Sequence, residues 1–244
     1  MTHDFVLPPL IAHRGASKVT PENTLIAFAT AQQLGASWVE FDVMITHDQT
    51  VIVHHDETYE RILGLNARVY DTAYAAIKTH DAGSWFAEKF SFVRIPTLTQ
   101  TLSCCADLGL SVNIELKTTA EYAQQTAVRT LEILSKFKFF NPSNVLISSQ
   151  EVQALSTFYQ HAPTYRLGLV ADHWADVESA LNLDFELYSL NLHHAIITPE
   201  KMTQVQAQGY QVLAFTVNER SLAEQLFSLG VCSIFSDDVQ LLNN

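Results

Sequence analysis

Three carboxylates lie inside apolar segments of this sequence, where charged residues are uncommon. Glu40 and Asp42 fall within residues 38–43, and Glu115 lies near the end of residues 112–116. Because side chains alternate along a strand, Glu40 and Asp42 face the same side. Buried carboxylates without a compensating charge cost several kcal/mol, so this group needs a cation. Carboxylate oxygens are the ligands that Mg²⁺ and Ca²⁺ prefer, and the sequence therefore predicts a site for a divalent metal, Mg²⁺ or Ca²⁺.

Two histidines and two basic residues occupy similar positions at segment ends. His13 and Arg14 close the first apolar segment, His55 ends residues 51–55, and Lys117 follows Glu115 by two residues. Imidazoles titrate near neutrality and can pass protons in both directions. Arginine and lysine supply positive charge for an anionic oxygen group. Together with the carboxylates, these residues indicate a site for a phosphate ester.

The segments that carry these residues alternate with helical patterns. Short apolar runs rich in strand-forming residues occupy residues 10–13, 38–43, 112–116, 145–148, 166–170, 187–192, 212–217 and 232–235. Between most of them, apolar residues recur at spacings of three and four, as helices require. Eight such units over this length predict a (β/α)8 barrel, whose active sites lie at the carboxyl ends of the strands. An open doubly wound sheet is the alternative, but its glycine-rich phosphate loop is missing.

Residues 46–96 interrupt the alternation. Residues 46–50 resemble a turn and residues 51–55 a hairpin strand, and the chain is then mixed and polar until a helix begins near Leu98. The sequence therefore predicts one barrel domain over residues 1–244, with a small inserted cap at about residues 46–96 beside the barrel mouth.

The composition limits the partners of the protein. The 244 residues include 14 Lys and Arg against 26 Asp and Glu, a formal charge of −12, with 48% hydrophobic residues. A surface this acidic repels phosphate backbones and anionic lipids, so we expect neither a nucleic-acid partner nor a stable membrane anchor. No apolar run approaches the roughly 18–20 residues that span a bilayer. Nothing in the sequence indicates an oligomeric state.

The cysteines and the first residues suggest a compartment. Cys104, Cys105 and Cys232 form neither a disulfide framework nor a CxxC metal pattern. The first ten residues lack the basic region of a secretory signal. We expect three buried thiols and a cytoplasmic location.

Several short motifs together resemble one known family, the glycerophosphodiester phosphodiesterases, of the cytosolic bacterial type. The motifs follow the family's order along nearly the whole chain, and they are His13-Arg14-Gly15, Pro21-Glu22-Asn23-Thr24, Glu40-Phe41-Asp42, His54-His55-Asp56-Glu57, Pro96-Thr97-Leu98, Glu115-Leu116-Lys117 and Thr216-Val217-Asn218. The family is a (β/α)8 barrel with a small inserted cap. Its members cleave glycerophosphodiesters, such as those of choline or ethanolamine, to glycerol 3-phosphate and an alcohol.

The resemblance assigns a role to each matching position. Glu40, Asp42 and Glu115 match the family's metal ligands, and His13 and His55 match its general acid and base. Arg14 and Lys117 match the groups that hold the phosphate, and we add Glu22 and Phe215 to the substrate-binding set. Phe215 stands where many members have Trp, and Ser236-Asp237-Asp238-Val239 replaces their Thr-Asp-x-Pro.

The resemblance also implies a mechanism. A glycerol hydroxyl would attack phosphorus, and water would open the resulting cyclic phosphate; direct attack by water is the alternative. Two other functions remain open. One is a lysophospholipase D acting on lipid-tailed diesters, against which no amphipathic basic helix is found. The other is a catalytically silent barrel that binds phosphoesters.

Four positions have simpler structural interpretations. Thr20 is expected to cap a helix that has Pro21 at its first position. His54 alternates to the face opposite His55, so we expect it to support the site without moving protons. Glu57 and Arg61 are expected to form a surface ion pair.

Overall fold

A parallel β-barrel forms the centre of the protein, as a computed structural model describes it for residues 5–243. Eight parallel strands close on themselves, because the first pairs with both the second and the last. These strands are β1 (Leu10–Ala12), β2 (Trp38–Ile45), β4 (Ser111–Leu116), β5 (Val145–Ser149), β6 (Arg166–Ala171), β7 (Ser189–His193), β8 (Gln211–Phe215) and β9 (Ser233–Ser236). The predicted barrel is confirmed, and each predicted strand lies within a few residues of an observed one.

Helices cover the outside of the barrel. They are α1 (Leu25–Gln33), α4 (Leu98–Asp107), α5 (Ala123–Leu134), α6 (Val152–His161), α7 (Trp174–Ala180), α8 (Pro199–Gln206) and α9 (Arg220–Ser228). One hydrophobic cluster joins their inner faces to the outward side chains of the strands. Strands covered in this way are buried on both faces, which explains why β2 reads as an unbroken apolar run around its two carboxylates.

Residues 46–96 build a small layer beside the barrel mouth. The layer begins with β3 (Val51–Val53), which pairs antiparallel with β2, and continues with α2 (Glu60–Leu63) and α3 (Tyr74–Ile77). A separate hydrophobic cluster stabilises it, and this cluster includes Ile52, Tyr59 and Ile95. Its contact with the end of β2 places the insert next to the carboxyl ends of the strands.

Local structure differs from two of the sequence predictions. Thr20 does not cap α1, because its hydroxyl donates to the carbonyl of Ala16; Thr24 is the N-cap instead. The chain first makes a tight turn that brings Asn23 toward the barrel, so the helix begins four residues later than expected. Of the three free cysteines only Cys105 is buried, whereas Cys104 and Cys232 are partly exposed.

Across residues 5–243, no helix combines the length and the apolar content that crossing a bilayer requires.

Candidate functional site

A cavity of about 420 Å³ opens at the carboxyl ends of the barrel strands. Eight of the nine predicted site residues line it or lie directly on its wall, and Glu22 does not. The predicted residues on the wall are His13, Arg14, Glu40, Asp42, His55, Glu115, Lys117 and Phe215. These positions come from β1, β2, β4, β8 and the insert. They therefore meet only when the barrel closes and the insert packs beside its mouth.

The three predicted ligand carboxylates form one compact group. Glu40, Asp42 and Glu115 each direct an oxygen to a common region, and these oxygens lie within 4.8 Å of one another. The strand register explains this geometry, because Asp42 of β2 is paired with Glu115 of β4. Asn23 donates to Asp42 Oδ2 over 2.8 Å, and the backbone N–H of Arg14 donates to Glu40 Oε2 over 2.9 Å.

The electrostatics of this group fit a divalent cation. Burial and the charges of Asp42 and Glu115 raise the pKa of Glu40 well above its usual value. Burial also acts to raise the pKa of Asp42, but the surrounding positive charges, that of Arg14 foremost, and the hydrogen bond from Asn23 together outweigh burial and hold this pKa below its usual range. Glu40 Oε1 is buried and has no protein partner. Three crowded carboxylates, one of which has an unpaired oxygen, are a donor set suited to Mg²⁺ or Ca²⁺.

His13 is held from behind by an aspartate. Its Nδ1 donates to Asp237 Oδ1 over 2.7 Å, and its Nε2 lies 3.9 Å from Glu40 Oε2. Asp237 also accepts from Ser17 and from Asn218. Burial acts to raise the pKa of Asp237, but the hydrogen bond and charge of His13, together with the hydrogen bonds from Asn218 and Ser17, lower it to about 2. An ionised Asp237 therefore fixes the proton on Nδ1 and leaves Nε2 facing the site.

His55 has the same arrangement with a neighbour in the chain. Its Nδ1 lies 2.8 Å from Asp56 Oδ1, and Asp56 in turn accepts two hydrogen bonds from Arg61. His54 lies outside the wall of this cavity, and its Nε2 donates to the carbonyl of Thr58 over 3.1 Å. This placement agrees with a supporting role for His54.

A strained turn after β1 places Arg14 against the carboxylates. Arg14 has φ 56° and Gly15 has φ 82°, both in the left-handed region. A Cβ at Gly15 would lie 2.7 Å from the backbone of Ala27, so only glycine fits there. Arg14 Nε lies 3.3 Å from Asp42 Oδ2, and on the other side Lys117 Nζ donates to Glu115 Oε1 over 3.2 Å. Two cations therefore border the acidic group and can face an anionic substrate.

Glu22 lies behind Arg14, not on the cavity wall. Its carboxylate accepts from Arg14 Nη1 over 2.8 Å and from both terminal nitrogens of Arg61 over 2.9 Å. This geometry gives Glu22 contacts to cations and none to the cavity. The predicted surface pair of Glu57 with Arg61 is wrong, because Arg61 turns toward Glu22 and Asp56, whereas Glu57 lies 3.9 Å from Arg68.

The far wall of the cavity is polar with one aromatic side. Phe215 lies edge-on to His193, with ring centroids 5.8 Å apart. The remaining wall residues are only weakly indicated by the sequence, since single polar residues in strands resemble ordinary core positions. Those residues include Asn113, Gln150, Asp172, Asn191 and His193.

Sequence reasoning missed two residues, Asp237 and Arg61, that hold side chains of the candidate site. Asp237 directly follows β9, in the motif noted above as a departure from the family pattern. Its position at a strand end was the available signal. Arg61 lies in α2 within the insert, and no spacing rule connects it to Glu22, which is 39 residues away.

Comparison with known proteins gives consistent matches over nearly the whole chain. A family model described as "Glycerophosphoryl diester phosphodiesterase family" matches residues 13–241. A glycerophosphodiester phosphodiesterase of Caldanaerobacter subterraneus is 34% identical over 235 residues, which are 96% of each chain. One from Bacillus altitudinis is 30% identical over 93% of this chain and 94% of its own. A phosphodiesterase structure from Oleispira antarctica, in complex with the product sn-glycerol-3-phosphate, superposes with a TM-score of 0.88 at 33% identity, covering 96% of this chain and 94% of that one.

Proposed function

This chain belongs to the glycerophosphoryl diester phosphodiesterase family, and from that premise we propose that it hydrolyses glycerophosphodiesters to sn-glycerol 3-phosphate and an alcohol. The observation that supports the proposal most is the single cavity wall shared by three carboxylates, two imidazoles and two cations. A glycerophosphodiester needs these same groups, because it carries one negative charge, a leaving oxygen that must be protonated and an attacking oxygen that must lose a proton.

His13 and His55 are the proposed acid and base. Each donates its Nδ1–H to an aspartate, Asp237 or Asp56, which leaves Nε2 for proton transfer. One Nε2 takes the proton from the attacking oxygen, which is a glycerol hydroxyl or a water. The other gives a proton to the alcohol oxygen as its bond to phosphorus breaks. If the glycerol hydroxyl attacks, a water then opens the cyclic phosphate with the two roles exchanged.

Glu40, Asp42 and Glu115 are the proposed ligands of a divalent cation, Mg²⁺ or Ca²⁺. Such an ion, when bound, supplies Lewis-acid polarisation of a phosphoryl oxygen. Arg14 and Lys117 bind the remaining phosphoryl oxygens and stabilise the charge that builds on them. Burial acts to lower the pKa of Lys117, but the charges of Glu115 and Asp42 and the hydrogen bond to Glu115 together raise it above its usual value, so this lysine stays charged.

An assay coupled to glycerol-3-phosphate dehydrogenase tests the reaction. The purified protein is incubated with the choline, ethanolamine and glycerol diesters after treatment with a chelator, and then with Mg²⁺ or Ca²⁺ restored. We expect release of sn-glycerol 3-phosphate that stops on chelation and returns with the ion. Hydrolysis that persists unchanged in excess chelator would contradict the metal site, and failure to cleave any of the diesters would contradict the activity.

A binding measurement tests the ligand set without relying on activity. Calorimetric titration with Mg²⁺ and Ca²⁺ should detect one site in the wild-type protein. We expect Glu40→Gln to weaken that binding by at least about tenfold, because it removes one charged ligand from a crowded set. Glu60→Gln, in the insert and outside the carboxylate group, is the matched control and should bind as the wild type does.

The domain organisation and location belong to the same proposal. We propose that the chain forms one barrel domain in which residues 46–96 form a cap. The separate hydrophobic cluster of these residues and their pairing with β2 support this view. A cytoplasmic location is supported by the three unpaired thiols, which persist in a reducing compartment.

A further inference from the structure

Arg61 makes more charged contacts than a surface arginine ordinarily does. It lies in α2 of the insert, and its guanidinium donates four hydrogen bonds of 2.7 to 3.0 Å. Two of them go to Glu22 and two to Asp56. The ring of Trp85 lies 5.5 Å from the guanidinium carbon and covers one side of it. Two-pronged contacts of arginine with carboxylates are the stronger class of ion pair, because both distance and direction are satisfied.

One of these carboxylates connects Arg61 to the phosphate-binding side of the site. Glu22 Oε1 accepts from Arg14 Nη1 over 2.8 Å while it also accepts from Arg61 Nη2. Burial acts to raise the pKa of Glu22, but the hydrogen bonds from Arg61 and the charges of the two arginines hold it below its usual value. Glu22 is therefore shared between two cations. Without Arg61, the Glu22 carboxylate would lose two of the three hydrogen bonds that hold it, and it could no longer fix the direction of the Arg14 guanidinium.

The other carboxylate connects Arg61 to the proton-transfer side. Asp56 binds Arg61 through both oxygens and His55 Nδ1 through one of them. The arginine thus fixes the plane of the carboxylate, and the carboxylate fixes the ring of His55. Without Arg61, Asp56 could rotate away, and the Nε2 of His55 would lose its fixed direction.

From this geometry we propose that Arg61 is a positioning residue that aligns Arg14 for phosphate binding and His55 for proton transfer at the same time. The proposal rests on the proposed function. It gives the insert a specific part in the reaction, since α2 supplies the one side chain that contacts both Glu22 and Asp56 among the described hydrogen bonds. Lysine could not replace it, because a single ammonium cannot present paired donors to two carboxylates.

Three kinds of variant separate the two connections. Arg61→Gln interrupts both, Glu22→Gln interrupts only the one to Arg14, and Asp56→Asn interrupts only the one to His55. Arg68→Gln is the matched control, because Arg68 is an arginine of the same insert whose ion pairs are long, 3.8 and 3.9 Å, and which also lies over an aromatic ring. For each variant, the kcat, the KM and the affinity for sn-glycerol 3-phosphate are measured, together with the melting temperature.

We expect Glu22→Gln to weaken product affinity by about tenfold with little change in kcat, and Asp56→Asn to lower kcat by about tenfold or more with little change in affinity. Arg61→Gln should show both effects, Arg61→Lys should recover little of either, and Arg68→Gln should stay within about twofold of wild type. If Arg61→Gln proves unstable, the split between the two single-carboxylate variants still decides. The proposal is overturned if these two variants change the same parameter, or if a folded Arg61→Gln behaves as wild type.

A measurement without substrate keeps this test separate from the proposed function. The imidazole NMR signal of His55, identified through His55→Gln, should move in Arg61→Gln, whereas that of His13 should not. If the wild-type protein cleaved none of the diesters, the proposed function would be refuted, but the NMR comparison would still test the positioning role. An unchanged His55 signal in Arg61→Gln would refute the positioning role.

Discussion

His13 and Asp237 stand 224 positions apart in the chain, yet the imidazole Nδ1 lies 2.7 Å from the carboxylate oxygen. The contact exists because β1 pairs with β9 where the barrel closes, with Ala12 beside Ser236. The residue after each of these strand ends is then His13 or Asp237. The first and last strands of the barrel thereby bring together one imidazole–carboxylate pair.

Replacing Asp237 by Asn should lower kcat by about 10 to 100-fold, because an amide can no longer hold the Nδ1–H tautomer as firmly. KM and divalent-cation affinity should change little, since Asp237 is not among the three carboxylates of the proposed metal site. Steady-state kinetics and a metal titration measure both quantities. Asp238→Asn is the control, because Asp238 pairs with the exposed Lys18 and should leave the kinetics unchanged. A large rise in KM with an intact kcat in Asp237→Asn would argue against a positioning role.

Asp237 should also make the stability of the folded protein depend on pH in the acidic range. The folded protein lowers the pKa of Asp237 from its usual 3.8 to about 2, so its stabilising contribution is fully present above about pH 5 and is lost as pH falls toward 2. We expect the free energy of unfolding to differ between wild type and Asp237→Asn by about 1–2 kcal/mol at pH 6. Urea unfolding should show the gap reduced by about half near pH 3. A gap that widens on acidification would contradict an ionised Asp237.

Replacing either proposed acid/base residue should slow the reaction without unfolding the protein. We expect His13→Ala and His55→Ala each to lower kcat by about 10²–10⁴-fold, with melting temperatures near that of wild type. His54→Ala tests whether the adjacent histidines His54 and His55 have different roles. His54 is buried against Thr58 and Tyr59, so its loss should lower stability more than it lowers kcat. Near-normal turnover in both His13→Ala and His55→Ala would end the assignment.

Phe215 should contribute to substrate binding, not to proton transfer. Its ring forms the aromatic side of the cavity, and truncation removes apolar contact worth about 1–2 kcal/mol. We therefore expect Phe215→Ala to raise KM by about tenfold and to change kcat by less than about threefold. Phe139→Ala, at an exposed aromatic residue that does not line this cavity, should leave KM unchanged. A loss confined to kcat would place Phe215 in the chemical step instead.

Much of the site could be predicted because its residues carry strong local signals. Glu40, Asp42 and Glu115 are charged residues inside apolar strands, and that contrast alone marks them as compensated by a ligand or a partner. His13 and Arg14 end such a strand, and Gly15 follows them at a left-handed position that no residue with a Cβ can fill. These signals depend only on a few neighbouring residues.

Errors arose where a partner is distant in sequence. Thr20 has the residue type and the following proline of a helix cap, but a tight turn after β1 displaced the cap to Thr24. Arg61 has Glu57 four residues before it, the spacing of a helical ion pair, yet α2 begins only at Glu60. Arg61 is therefore free to turn toward Glu22. In the first case the turn that places Asn23 on Asp42 outweighed the local preference, and in the second the contact of Arg61 with Glu22 did so.

The sequence by itself determined the strands, their alternation with helices and the identity of the carboxylates and imidazoles, because periodicity and burial are properties of adjacent residues. The tertiary structure decided which of these side chains contact one another. Asp237 reaches His13 only through barrel closure, and Arg61 reaches Glu22 only through the docking of the insert on the barrel mouth. Such contacts depend on how segments that are far apart in the sequence pack together, and the spacing of residues along the chain does not predict that packing.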